Sequence, residues 1–147
     1  MKGYPHIYQT SARAEPTGSV RVSSPGLEDF ASTAPPEFGG PEGNWSPETL
    51  LVASVADCFV LTFRAIAKAS KFEWYELECD VQGKLENHKG VTRFTFFGFD
   101  VKLLVPAEAM KSKAERLLRM AENNCLITNS LIAEIHLDLK VEKVADP

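Results

Sequence analysis

The side chains in this sequence best suited to chemistry are three thiols, Cys58, Cys79 and Cys125, and three imidazoles, His6, His88 and His136. Histidine is the commonest metal ligand and general base, yet none of the three has a sequence neighbour of matching chemistry. His88 falls in a polar turn, His136 on the outward side of an alternating segment and His6 near a terminus, so each reads as an exposed, solvated group. There is no CxxC, no HExxH and no cysteine-rich cluster, so neither a zinc nor an iron–sulfur site is expected. No glycine-rich loop follows a strand, and Gly39-Gly40 lies in irregular chain, so no nucleotide or other cofactor is assigned.

Chemistry therefore falls to the thiols, and position must choose among them. Cys79 alternates with Leu77 and Val81 and reads as a small core hydrophobe. Cys58 lies in an apolar stretch with Asp57 before it and Glu48 ten residues earlier. Ten residues turn a helix by about 1000°, about 80° short of three full turns, so Glu48 and Cys58 do not share a face. Cooperation between them needs a group from another segment. Cys125 follows Asn123-Asn124 and opens a helical stretch, where unpaired N–H groups and the helix dipole favour a thiolate. On residue type alone, core and functional readings stay open for Cys58 and Cys125.

The elements that must position these thiols can be read from periodicity. At 147 residues and 44% hydrophobic, the chain suits a single domain, 1–147, with a real core. A net charge of −4 with no basic block argues against nucleic acid as a partner. The stretch from Leu50 to Phe63, interrupted by Ser54, Asp57 and Thr62, is shorter than the ~20 residues that cross a bilayer, so no membrane span is expected. No apolar segment follows Met1-Lys2-Gly3-Tyr4-Pro5, so no secretory signal is expected either, and a reducing cytoplasm is the expected location.

The first 45 residues are rich in Pro, Gly and Ser. Tyr8 to Ala14 and Ser19 to Ser23 flank the turn Glu15-Pro16-Thr17-Gly18 and read as a hairpin, and Pro25 to Asn44 reads as a long loop. Trp45-Ser46-Pro47-Glu48 then starts a helix: Ser46 is the N-cap, Pro47 the first helical residue, Glu48 a first-turn acid, and Trp45 and Leu50 are placed as a hydrophobic staple. This helix runs to about Ser70 with apolar residues nearly all round, so it must be buried on most sides. Leu77 to Leu85 alternates as a strand, Glu86 to Gly90 turns the chain, and Val91 to Val105 is a second strand with a bulge expected at Gly98. Pro106 opens an amphipathic helix ending near Asn123-Asn124, a short helix starts at Cys125, and Ile135 to Val141 alternates as a last strand. The order is α+β with mainly antiparallel sheet. One sheet face and one further helix cannot cover the central helix, whereas a wrapping dimer can.

Four motifs taken together are recognisable: Pro36-Glu37-Phe38-Gly39-Gly40, Ser46-Pro47-Glu48-Thr49-Leu50-Leu51, Ala56-Asp57-Cys58-Phe59, and Asn124-Cys125-Leu126-Ile127-Thr128-Asn129-Ser130-Leu131. They resemble the OsmC/Ohr family of thiol peroxidases over most of the chain, in element order and in the separation of the two cysteines. The resemblance implies an OsmC-like fold, an intertwined homodimer whose sheets wrap two long helices, with active sites at the subunit interface. It implies that Cys58 is the peroxidatic thiolate, attacking an organic or fatty hydroperoxide and becoming a sulfenic acid. Cys125 would then resolve that sulfenic acid to a disulfide, reduced by an external dithiol, lipoylated protein in some members. No metal or bound cofactor is implied. Glu48 matches a glutamate that organises the site through an arginine, although the helix dipole alone also accounts for it.

The sequence departs from the family at that arginine. The loop from Pro25 to Asn44 has none, and Arg13 and Arg21 are nearby but unaligned candidates that read more readily as exposed strand charges. Asp57 stands where a small residue is commoner, and Leu126 where proline often follows the second cysteine. Two rival functions follow: a non-catalytic OsmC-like protein that binds a small hydrophobic molecule or senses redox state, and a disulfide exchanger that uses both thiols without reducing peroxide.

Overall fold

In a computed structural model, which describes residues 1–145, the start of the long helix forms through local capping chemistry. The Thr49 N–H donates to Ser46 Oγ at 3.2 Å, and the Ser46 N–H donates back to Thr49 Oγ1 at 2.9 Å. Thr49 thus fills the place that a glutamate holds in the common capping box. Helix α1 runs Pro47–Ala69, with Pro47 first as expected.

The chain forms two compact units, residues 1–51 and 52 onward, and their boundary falls within α1. In the first unit, β1 (Ser11–Arg13), β2 (Val20–Ser23) and β3 (Phe30–Ser32) make an antiparallel sheet in chain order. The first two are the expected hairpin, shorter than the sequence suggested. β3 corrects the reading of Pro25 to Asn44 as loop throughout: Phe30 pairs with Val22 and Ser32 with Val20. A single 3-10 turn, Pro36–Phe38, follows it and ends on Gly39 at φ 84. The next glycine is required by contact, since a Cβ on Gly40 would stand 1.7 Å from the Ala34 carbonyl oxygen. Between residues 1 and 51 only Ser32 and Ser46 are fully buried.

The second unit is built on β4 (Glu76–His88), β5 (Val91–Val105) and β6 (Glu134–Lys143), in that order across the sheet. β4 and β5 are antiparallel and joined by Lys89-Gly90, with φ 52 and 84, the pair of positive values that a tight hairpin turn needs. The strand therefore runs on to His88, through residues the sequence placed in the turn. β6 pairs parallel to β5. Its crossover consists of a short 3-10 turn (Glu108–Met110), helix α2 (Lys111–Asn123) and the single turn α3 (Leu126–Asn129).

The bulge is not at Gly98, which pairs regularly with Gln82 and His136. It lies at Thr95: Lys84 pairs with Phe96 and Leu85 with Phe94, leaving Thr95 as the extra residue. Its hydroxyl bonds the Lys84 carbonyl at 3.4 Å and the Glu86 carboxylate. The extra residue brings Phe94 onto the same face as Phe97, and their rings stack at 5.3 Å.

That inner face carries Phe97, Phe99, Val101, Leu103 and Val105, all essentially buried. Phe59 of α1 meets Phe99 edge-on at 5.4 Å, and Phe63 meets Trp74 at 5.4 Å. The buried residues of α1 are Val55, Phe59, Phe63 and Ala67, a single stripe four residues apart. The expectation that this helix is buried on most sides is not met within one chain, because one sheet covers one stripe and Leu61 remains 50% exposed. α1, 23 residues long, contains an 18-residue window of mean hydropathy 1.9, enough to cross a membrane by length and composition, which the shorter Leu50 to Phe63 window did not suggest. Its Phe59 and Phe63 contacts are those of a core helix. α2 covers β6 with Ala114, Leu117, Leu118 and Ala121 buried, the face the sequence predicts.

Candidate functional site

Cys58 occupies the middle of α1, one residue before the buried Phe59, and is half-buried. Asp57 is exposed, as expected for a consecutive helical position about 100° away. Among the described residues, Thr62 and Cys125 meet the Cys58 sulfur. Thr62 lies a helical turn later, with Oγ1 3.8 Å from Sγ and also 2.7 Å from the Cys58 carbonyl oxygen, to which it donates. Cys125 is brought in by the α2–α3 crossover.

Cys125 is fully buried at the start of α3. Burial pushes its thiol above the ordinary value, the N–H and hydroxyl of Thr128 pull it down, and its hydrogen bond to Cys58 raises it again, so the balance is upward. This corrects the expectation that a helix start would favour a Cys125 thiolate. α3 is one turn of four residues, too short to build a dipole that offsets desolvation. Thr128, itself buried, also donates to the Cys125 carbonyl at 3.2 Å.

Cys79 lies on the inner face of β4, opposite Val101, where the sequence placed it. Its thiol is pushed up to about 12, chiefly by burial, then by the neighbouring Asp80 and Cys125 charges. All three sulfurs thus belong to one region of the second unit, Cys125 lying near both of the others.

Glu48 is a first-turn acid of α1, and its Oε2 is buried with no hydrogen-bond partner. Such an oxygen ordinarily finds a donor, so this site is incomplete among the described residues. Arg13 and Arg21 face each other as cross-strand partners on β1 and β2. Both are exposed, and Arg21 reaches Asp29 at 3.7 Å. His6 stacks on Tyr4 in an exposed segment, while His88 and His136 are exposed on strands.

The two threonines were missed by the sequence reading, which treated Thr62 only as a polar interruption of an apolar run. The available signal was their spacing from the thiols, four residues after Cys58 and three after Cys125, where a hydroxyl folds back onto the preceding turn.

Residues 39–140 match the family model described as OsmC-like protein, a span that runs through both units. Among curated proteins, an uncharacterized protein of Bacillus subtilis (strain 168), YmaD, is 24% identical over 109 residues, covering 72% of this chain and 73% of its own. An OsmC-like protein of unknown function from Vibrio cholerae superposes with a TM-score of 0.83 at 19% identity, covering 92% of this chain and 99% of that one. A Legionella pneumophila structure described as an organic hydroperoxide resistance protein OsmC superposes with a TM-score of 0.75 at 21% identity, covering 95% and 99%. With its α+β architecture, its paired thiols and a family match over most of its length, the chain belongs to the OsmC family.

Proposed function

We propose that this protein is a thiol-dependent peroxidase that reduces organic or fatty hydroperoxides, with Cys58 as the attacking thiolate and Cys125 as the resolving thiol. The observation that carries this reading is that Cys58 and Cys125, 67 positions apart in sequence, are brought close enough for Cys58 to act on the Cys125 thiol. The Cys58 thiolate attacks the terminal peroxide oxygen, the O–O bond breaks, and the alkoxide leaves as an alcohol after taking a proton. Cys58 is then a sulfenic acid. Cys125 gives up its proton, its sulfur bonds to Cys58, and the hydroxyl leaves as water. An external dithiol, lipoylated protein being the expected class, returns the disulfide to two thiols by exchange. By the family resemblance Glu48, whose buried Oε2 has no hydrogen-bond partner among the described residues, is the acid that would hold a guanidinium, and Arg13 and Arg21 are the unaligned candidates to supply it.

The same reading includes a homodimer, supported by the half-exposed apolar surface of α1 and by a first unit whose only fully buried side chains are two serines. Stopped-flow mixing with cumene hydroperoxide tests the reaction. One fast thiol oxidation per chain is expected, lost in Cys58→Ser, while Cys125→Ser leaves a dimedone-trappable sulfenic acid at Cys58. Slow, equal oxidation of all three thiols would instead favour a binding or sensing protein.

A further inference from the structure

Thr62 occupies a position with two possible hydrogen-bond partners on the same residue. Its Oγ1 lies 2.7 Å from the Cys58 carbonyl oxygen and 3.8 Å from Cys58 Sγ. A hydroxyl has one proton, and at 2.7 Å that proton is committed to the carbonyl. Only lone pairs then face the sulfur, an arrangement that suits a thiol, whose S–H can donate to them. It does not suit a thiolate, which would meet oxygen lone pairs across the same gap.

The carbonyl can release the hydroxyl without being left unsatisfied. Cys58 and Thr62 stand four apart within α1, so the Thr62 backbone N–H also donates to the Cys58 carbonyl as part of the helical ladder. Rotation about the Thr62 Cβ–Oγ1 bond moves the proton from carbonyl to sulfur and breaks no helical hydrogen bond. An acceptor that becomes charged outcompetes a neutral carbonyl that already has a partner. The titratable group facing Cys58 from the crossover is Cys125, with Cys79 near it on β4; Asp57, next in sequence, is turned to solvent.

We propose that Thr62 is a positioning residue for Cys58, its hydroxyl passing from the Cys58 carbonyl oxygen to the Cys58 sulfur when the thiol loses its proton. It gives the anion a neutral donor from the chain's own residues. The inference rests on the reading of Cys58 as the reacting thiol, but its test requires no peroxide.

The full-length protein and its Thr62→Val and Thr62→Ser variants are alkylated with iodoacetamide between pH 5 and pH 10, and the rate at Cys58 is read by mass spectrometry of its peptide. Valine keeps the shape and the helical N–H but removes the hydroxyl. The midpoint of the Cys58 profile is expected to move upward in Thr62→Val, slowing alkylation at pH 7 about threefold or more, with the high-pH plateau unchanged. Thr62→Ser is expected to restore the midpoint, which a purely packing role for the methyl group would not do. A valine midpoint equal to that of the unaltered protein overturns the proposal, as does a serine midpoint that follows valine. Loss of the plateau itself, with serine failing to restore it, assigns Thr62 to packing and also overturns it. If the midpoints behave as expected but cumene hydroperoxide is not consumed, Thr62 keeps its role and the peroxidase reading fails.

Discussion

At the scale of single residues, the three thiols differ because burial acts on them unequally. Cys79 has the plainest consequence. In the unfolded chain its thiol ionises near the ordinary value of 9.0, whereas in the folded protein it holds its proton to about 12. Between these values the folded state keeps a proton that the unfolded state has lost, so stability falls as pH rises through the window and is unaffected below it. Urea unfolding followed from pH 7.5 to pH 11 is expected to show this decline, and Cys79→Ala to flatten it by one proton. An unchanged slope in the variant would mean that Cys79 ionises alike in both states. The meeting of Cys58 with Cys125 was legible only through the family resemblance. No periodicity relates residues 67 apart, and the reading from local spacing gave Cys125 the wrong bias, because a one-turn helix cannot outweigh desolvation. Thr62 was hidden because hydroxyls in apolar helices are read as interruptions rather than as partners of the preceding turn.

Among the elements, what could be read in advance was what local chemistry decides. The start of α1 was legible because Ser46, Pro47 and Thr49 settle it within four residues, and β5 because Phe97, Phe99, Val101, Leu103 and Val105 alternate over its second half. The bulge was misplaced because glycine is the usual flag, and Thr95 sits unmarked in a run of phenylalanines. β3 was missed because Phe30-Ala31-Ser32 is too short to show a period. Two predictions belong here. Asp80, Asp100 and Asp138 stand side by side across the outer face of the second sheet. The neighbouring Lys102 and Lys140 turn instead to Glu142, at 3.6 and 3.0 Å. Like charges in register repel, so Asp100→Asn is expected to stabilise the fold by about 0.2–1 kcal/mol, less at high salt, as measured by urea midpoints in two salt concentrations. Gly40→Ala is expected to cost about 1–3 kcal/mol, because the added carbon meets the Ala34 carbonyl and the backbone must shift; thermal unfolding checks this.

For the whole molecule, the unmet burial of α1 governs behaviour. Leu61 is 50% exposed on a helix that is apolar nearly all round, which one chain does not cover. If a second copy covers that surface, sedimentation equilibrium gives twice the chain mass at micromolar concentration, and Leu61→Glu lowers it toward the single-chain value by burying an unpaired charge. A monomeric unaltered protein would refute the dimer. The α+β class was legible from element order alone, whereas the division at residue 51 was not, since it falls inside a helix whose pattern continues unbroken.

The parallel placement of β6 beside β5 also bears on how the molecule is made. The segment carrying Cys125 is tethered at its near end by β5 but fastened at its far end only when residues 134 to 143 dock. A nascent chain still attached to the ribosome therefore presents Cys58 before its neighbour can reach it. Under the proposed reaction, an oxidant arriving in that interval would meet a sulfur with no second thiol to close upon, so that protection against irreversible oxidation would begin only once β6 is laid down.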